Sequence, residues 1–316
     1  MPTATYPPRP GTVTTDGVRT LSRYLNTPTL VTRDLRTLTD RQFMADRILR
    51  GRITATGGMV EYEVGESIFP LGNAAPEAIE PHAEFPLVGL GEGDIRLEAV
   101  GKYGYRTEVT LEAVMRRADQ PIVRARTKLG NGVVLRFDTA FMAQIAASKS
   151  TMNQVAGASW SGAGTTILRQ IEMAKAAILD LREGFNPTAI LLDRQKYAIL
   201  VSDDKVQASL DRTSVDSEAF KGTIVRVADL EIMVAPTGVA GTNDPIIFDP
   251  DMLGSIVSEA NPAERAGGDN GVFADTAYYG AANANGGAEF WSLAAGRAAL
   301  AIIQEPKSAA VLTGTA

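Results

Sequence analysis

Between residues 53 and 147 the chain passes from strict alternation of apolar and polar residues to helical periodicity. Val60, Tyr62 and Val64 alternate with Glu61 and Glu63, and Ile95, Leu97 and Ala99 alternate with Arg96 and Glu98. A period of two marks strands with one face in solvent, so residues 53–64 and 85–105 are expected to pair as a long hairpin. The connection between the two runs is rich in Gly, Pro and Glu and is far longer than a hairpin turn needs, so it should project as an arm. Pro70, Pro76, Pro81 and Pro86 keep its tip out of a regular sheet. Such an arm is stable only when something else covers it.

Helical signals follow at once. Thr110 can cap a helix beginning at Leu111, and Pro121 suits the first turn of a longer helix running to about residue 147. Its apolar stripe is Leu129, Val133, Phe137, Phe141 and Ile145, while Gly130 and Gly132 weaken it, so a bent helix close to 40 Å long is expected from a rise of about 1.5 Å per residue. Residues 148–164 read as a small, polar loop around Trp160 at a subdomain boundary. In residues 165–182, Ile167, Ile171, Ala174, Ile178 and Leu181 step by four, three, four and three, the spacing of one buried helix face. Asn186 and Pro187 end that helix, residues 189–192 form a short buried strand, and Asp193 caps the next helix, through Val201. Further strands are expected at 223–227, 230–235, 246–248, 254–259, 272–279 and 289–303. At the N-terminus, residues 1–17 are expected to be extended or mobile in an isolated subunit. Residues 34–49 carry helical spacing, with Thr39 or Asp40 able to cap a short helix.

Charge sharpens this division. Residues 1–52 hold nine Arg, no Lys and four Asp, a net of +5, so the remainder must carry −11 to give the overall −6. A basic arm on an acidic body is suited to docking on acidic surfaces of neighbouring subunits, and the chain lacks the overall basicity of proteins that grip duplex DNA. With 316 residues, 45% of them hydrophobic, there is enough apolar material for one large core or two smaller ones. No cysteine is present, which excludes disulfides and thiolate metal sites. The longest apolar runs, such as residues 298–303, are far short of the roughly 18 to 20 residues that span a bilayer.

Catalytic chemistry finds little to work with. His82 is the only histidine, which removes His-paired nucleophiles and multi-histidine metal sites, and it lies in the Pro-rich hairpin tip. GASWS at 157–161 lacks the final Gly and the buried strand of a nucleophile elbow. GAGTT at 162–166 opens a helix but lacks the Lys of a phosphate-binding loop, and reads as a hinge. Asp244, Asp249 and Asp251 have no calcium-loop pattern and are expected to cap turns, as are Asp203 and Asp204. The sequence therefore assigns no catalytic, cofactor-binding or metal-binding residue.

Order and spacing of longer segments say more. GGMVEYE at 57–63, AEFP at 83–86, KYGYRTEVTLEAV at 102–114, FNPTAILLDRQKYAIL at 185–200, LEIMVAP at 230–236, PIIFDPDMLGSIV at 245–257 and FWSLAAGRAALAIIQEPKSAAVL at 290–312 follow one another as in the major capsid protein of tailed bacteriophages, which the chain resembles over nearly its whole length. The resemblance implies an α+β subunit of the Hong Kong 97 type. Its parts would be an N-terminal arm (1–52), an extended loop (53–104), a peripheral domain with a spine helix (105–150), an axial domain (151–270), and return strands of the peripheral domain with the C-terminus (271–316). It further implies self-assembly as hexamers and pentamers into an icosahedral shell around double-stranded DNA, in the virion and assembled in the host cytoplasm. Scaffolding protein, portal and a decoration protein would be partners, with no cofactor and no membrane. In the type member, isopeptide cross-links need a Lys on the extended loop; this chain has none before Lys102, so non-covalent packing is expected to hold the shell. With the arm beginning at Met1, the scaffold is expected to be a separate protein. An encapsulin-type nanocompartment shell is the nearest competing reading, although the long arm argues against it, and an α/β enzyme with an unidentified site is a remote one.

Overall fold

A computed structural model describes residues 43–55, 57–65, 93–117, 120–162, 164–209, 225–235, 244–259, 272–279 and 289–315. The first element among the described residues, α1 (Ala45–Ile48), is a single turn with Ala45 and Ile48 buried; the expected capping residues Thr39 and Asp40 lie outside the described residues. Strands β1 (Gly51–Ala55) and β2 (Met59–Val64) are joined by a turn in which Gly57 and Gly58 take φ of 77° and 78°. Two successive left-handed residues require glycine there.

The second hairpin strand is divided into β3 (Asp94–Ala99) and β4 (Lys102–Thr110), where a single run was expected. Val100 N–H donates to Gly58 O at 2.9 Å, and beyond it the chain changes partner, from β2 to a later strand. Alternation resumes in the same phase after Val100 and Gly101, so the pattern did not reveal the exchange. Residues 85–92 and the proline-marked tip lie outside the described residues.

Helix α2 (Leu111–Arg117) begins where Thr110 predicts, with Ala113 N–H donating to Thr110 Oγ1 at 3.4 Å. The long helix α3 (Gln120–Ser148) buries the expected stripe of Leu129, Val133, Phe137, Phe141 and Ile145. After it, a 3-10 turn (Lys149–Thr151) and β5 (Asn153–Ala156) occupy part of what the sequence presented as a loop. Four residues are too few to show a period, and β5 is held by one distant partner.

Helix α4 (Ile167–Leu179) buries Ile167, Ile171, Ala174 and Ile178, and burial of each Ile is worth about 1.5–3 kcal/mol. Strand β6 (Ala189–Asp193) runs straight into α5 (Arg194–Ser202). Asp193 occupies the cap position in extended conformation but makes no side-chain cap bond, contrary to expectation. Asp203 does cap: its Oδ1 accepts from Lys205 and Val206 N–H, both at 2.9 Å, at the start of α6 (Asp204–Ser209). The remaining strands are β7 (Arg226–Val227), β8 (Leu230–Ala235), β9 (Ile246–Phe248), β10 (Gly254–Glu259), β11 (Val272–Tyr279), β12 (Phe290–Ile303) and β13 (Ala309–Thr313), the last of which was not foreseen.

Two compact units emerge. Phe43, Gly101–Asp138 and Ser258–Ala299 form the first, and Met44–Val100, Thr139–Val257 and Leu300–Ala316 the second, among the described residues. In the first unit β12 pairs antiparallel with β11 on one side and β4 on the other. One sheet face buries Val109, Leu293, Ala295 and Arg297, and Arg297 stacks on Phe137 of α3. On the opposite face Gly104, Gly296 and Phe273 lie in one cross-strand row. The Phe273 ring fills the space that Gly296 leaves, and Lys102 Nζ sits 4.1 Å from the ring centroid.

The second unit centres on a six-stranded sheet in the order β5-β13-β9-β6-β8-β7. Strand β13 runs parallel to β5 and antiparallel to β9, while β6 is parallel to β8. Ile171, Ile178, Ile190, Leu192, Leu200, Ile247 and Leu312 share its main core. A smaller core joins Ala55, Val60, Tyr62, Val257 and Ile302, and it seats the β2–β3 hairpin.

Candidate functional site

The β2–β3 pair is a two-stranded sheet with no further strand beside it among the described residues. Residues directly opposite in its register share a face. One face therefore carries Val60, Tyr62, Val64, Asp94, Arg96 and Glu98, and the other Met59, Glu61, Glu63, Ile95, Leu97 and Ala99. The first face is anchored, since Val60 and Tyr62 are buried in the small core. Tyr62 donates its hydroxyl proton to Glu98 Oε1 at 2.7 Å. Burial, then the bond and charge of Glu98, push the Tyr62 pKa up to about 12. Glu63 Oε1 accepts from Gly93 N–H at 2.8 Å and ties the two strands together at the end that leads to the tip.

Among the described residues nothing covers the second face. Met59 is 48% exposed, Ile95 63% and Leu97 61%, although alternation predicts that Ile95 and Leu97 should be the covered residues of their strand. A two-stranded sheet with large apolar side chains in water is marginal alone, and such a face suits a contact. Two carboxylates, Glu61 and Glu63, stand among the apolar groups and give the contact an acidic character.

The first unit offers a surface of opposite character. Tyr105 and Thr107 of β4 with Ala125, Lys128, Leu129 and Gly132 of α3 line an open groove of about 220 Å³. Gly132 makes it possible, because a Cβ there would lie 3.1 Å from the Tyr105 ring. Arg136 lies 5.1 Å from the Tyr103 ring centroid, and Arg124 and Lys128 are exposed on the same helix. Cations therefore rim an apolar groove.

The positions that the sequence raised as chemical candidates do not converge on a centre. His82 lies outside the described residues. Asp249 behaves as a turn cap, accepting from Asn186 N–H at 2.8 Å and Asp251 N–H at 3.0 Å. Asp251 instead pairs with Arg50 at 3.5 Å in an exposed ion pair. Ser159 and Ser161 of the GASWS string bond each other at 2.9 Å, and buried Trp160 donates its indole N–H to Gln170 Oε1 at 2.9 Å. At the GAGTT segment Lys205, which sequence spacing did not connect with it, donates to Thr165 O at 3.2 Å and Thr166 Oγ1 at 2.9 Å. Among the described residues no three His, Cys, Asp or Glu side chains are grouped to hold a metal ion.

Sequence reasoning also missed Lys196, which is 5% exposed and donates to Thr315 O beside the Trp160 ring. Burial lowers its pKa, against the opposing pull of Asp244 and Asp193. Nothing in its spacing set it apart from the exposed lysines. Among the described residues no helix is long and apolar enough to cross a membrane.

Comparison with known proteins agrees with this architecture. The model of a phage capsid protein family matches residues 96–305, about two thirds of the chain. No curated protein matches. Among solved structures, the chain is similar to one from Microbacterium phage Oxtober96, with 12% identity, a TM-score of 0.58, and coverage of 86% of this chain and 91% of that one. The capsid structure of the cyanophage P-SCSP1u gives 13% identity and a TM-score of 0.58, covering 84% and 86% respectively. A virus-like particle from Pyrococcus furiosus gives 13% identity and a TM-score of 0.53, covering 89% and 97%. At such identities these likenesses establish a shared α+β fold and nothing finer.

Proposed function

This chain belongs to the phage capsid protein family, and on that premise we propose that it assembles as hexamers and pentamers into an icosahedral shell that encloses double-stranded DNA. A capsid subunit must present contact surfaces on several sides, and heterologous contacts that close into rings build the shell. The observation that carries the reading is the bare face of the β2–β3 hairpin, with Met59, Ile95 and Leu97 exposed around Glu61 and Glu63. Its apolar and acidic character is complementary to the cation-rimmed groove between β4 and α3 on another copy.

In this reading residues 1–52 are the arm, the β2–β3 hairpin is the base of the extended loop, and α3 with β4, β11 and the first part of β12 forms the peripheral domain. The six-stranded sheet with α4 and α5 forms the axial domain. The chain beyond residue 271 serves both units, since Leu300–Ala316 belongs with the second. A separate scaffolding protein, a portal, and a decoration protein on the finished shell are the partners this reading implies, with assembly in the host cytoplasm. The subunit acts by packing, without catalysis.

Electron microscopy of the purified chain, alone and co-expressed with its neighbouring genes, tests the proposal. Large polyhedral particles containing hexamers as well as pentamers are expected. Small uniform shells around a protein cargo would favour a nanocompartment. Chains that stay monomeric under both conditions would overturn both.

A further inference from the structure

Strands β3 and β4 each lack a neighbour on one side among the described residues, and hydrogen bonds at their ends fix which backbone groups point that way. In an antiparallel pair, directly opposite residues alternate between exchanging both hydrogen bonds and exchanging none. Leu111 N–H donates to Glu289 O at 2.9 Å, one step beyond the β4–β12 register, so Tyr103, Tyr105, Thr107 and Val109 bond to β12. Gly104, Arg106 and Glu108 therefore turn their N–H and C=O to the free edge. On the hairpin, Val100 N–H donates to Gly58 O, so Asp94, Arg96 and Glu98 bond to β2, and Ile95, Leu97 and Ala99 turn outward. The outer edge of β2 differs, because Gly65 N–H beside it is taken by Gln304 O at 2.9 Å.

These phases decide how the two free edges can join. In an antiparallel join, outward residues stand opposite one another and share a face, which sets Ile95 and Leu97 beside Gly104 and Arg106, away from α3. In a parallel join, an outward residue stands opposite one that turns away. Ile95 and Leu97 then share the face of Tyr105 and Thr107, which line the groove against α3. Only the parallel join covers the exposed apolar groups with that groove. It also sets Glu61 and Glu63, one strand farther out on the same face, towards the exposed cations Arg124 and Lys128 of α3. A parallel connection takes about a dozen residues or more. Only Val100 and Gly101 separate β3 from β4, so the two strands that join belong to different copies.

We propose that β3 of one copy adds in parallel to the free edge of β4 on a neighbouring copy, making one continuous sheet across the subunit boundary. Main-chain hydrogen bonds supply affinity, and the groove beside the edge supplies specificity. The proposal rests on the shell reading above and adds to it the strand, the edge and the direction of the join.

The chain has no cysteine, so paired substitutions report the face directly. In oxidised particles, Leu97→Cys combined with Tyr105→Cys or Thr107→Cys should give disulfide-linked ladders in non-reducing detergent. Leu97→Cys combined with Arg106→Cys or Glu108→Cys should give none. Glu108→Pro removes one outward N–H at an edge position, where proline is tolerated. It should melt close to Glu108→Ala as a subunit and lose the particles that Glu108→Ala still forms. If Glu108→Pro does not fold, the cysteine pairs decide alone. Ladders from the second set of pairs, ladders from neither set, or normal particles from Glu108→Pro overturn the proposal, while wild-type particles keep the shell reading standing. If the wild-type chain forms no particles, the shell reading fails by itself. The same pairs in the concentrated soluble chain then decide: linked dimers from the first set alone support the join, and their absence overturns it.

Discussion

Gly254 and Gly296 are the residues at which this backbone tolerates least. A Cβ on Gly254 would collide with the Ile302 carbonyl and lie 3.0 Å from Ile303 Cα, both backbone atoms of the neighbouring strand. On Gly296 it would lie 2.5 Å from Tyr103 O and 2.8 Å from Phe273 Cε1. The Phe273 ring can turn aside but the backbone atoms cannot, so Gly254→Ala and Gly296→Ala should each destabilise by about 1–3 kcal/mol, measurable by denaturant unfolding of the subunit. The turn between β7 and β8 offers the reverse case, because Ala228 and Asp229 hold φ of 50° and 63°. Lys175 Nζ braces the Ala228 carbonyl at 3.0 Å. Ala228→Asn, which suits the left-handed region, should stabilise by about 0.5–1 kcal/mol in the same measurement. Tyr62 supplies a pH signature. Its pKa is raised to about 12 from an ordinary 10.0, so the folded state holds the proton more tightly than the unfolded chain. The stability this confers is fully present below pH 10 and is lost as pH rises towards 12. Spectroscopic titration should show one tyrosine ionising late, and Tyr62→Phe should abolish that phase.

At the scale of elements, the hairpin predicts a separation of folding from assembly. Ile95 and Leu97 are more than half exposed, so Ile95→Asp with Leu97→Asp should change subunit stability by no more than about 0.5 kcal/mol for each site, while shell formation measured by sedimentation is lost. Local periodicity announced α3 and α4 correctly, since their stripes of Leu129 to Ile145 and Ile167 to Ile178 are set by contacts that repeat every turn. It also announced β12, whose length carries its own signal. What it could not announce were elements defined by a distant partner. Strand β5 has four residues, β13 five, and each is stabilised by a neighbour about 150 positions away in the chain, so neither shows a period of its own. The candidate site was legible in part: alternation located β2 and β3 and their acidic residues. It assigned Ile95 and Leu97 to a covered face, and no described residue of this chain covers them.

For the whole molecule, charge and cross-linking chemistry lead to the clearest expectations. Deleting residues 1–20 should weaken the shell more than the subunit, because the segment is poor in apolar residues; particle melting should fall while subunit melting stays put. Shells dissolved in hot denaturing detergent should run as single chains, since no lysine precedes Lys102 to form a loop-borne isopeptide bond. A ladder of covalent oligomers would contradict this.

Strand β13 lies inside the second unit's sheet, between β5 and β9. During synthesis, residues 153–156 leave the ribosome long before residues 309–313 do, and β9 too must wait for this neighbour. The sheet therefore cannot close until residues 309–313 have left the ribosome, and pairing over so long a separation is slow even afterwards. This delay acts as a check on timing. A half-made subunit lacks the body to which its contact surfaces belong, so polysomes crowded with nascent copies would not seed shells before β13 has emerged.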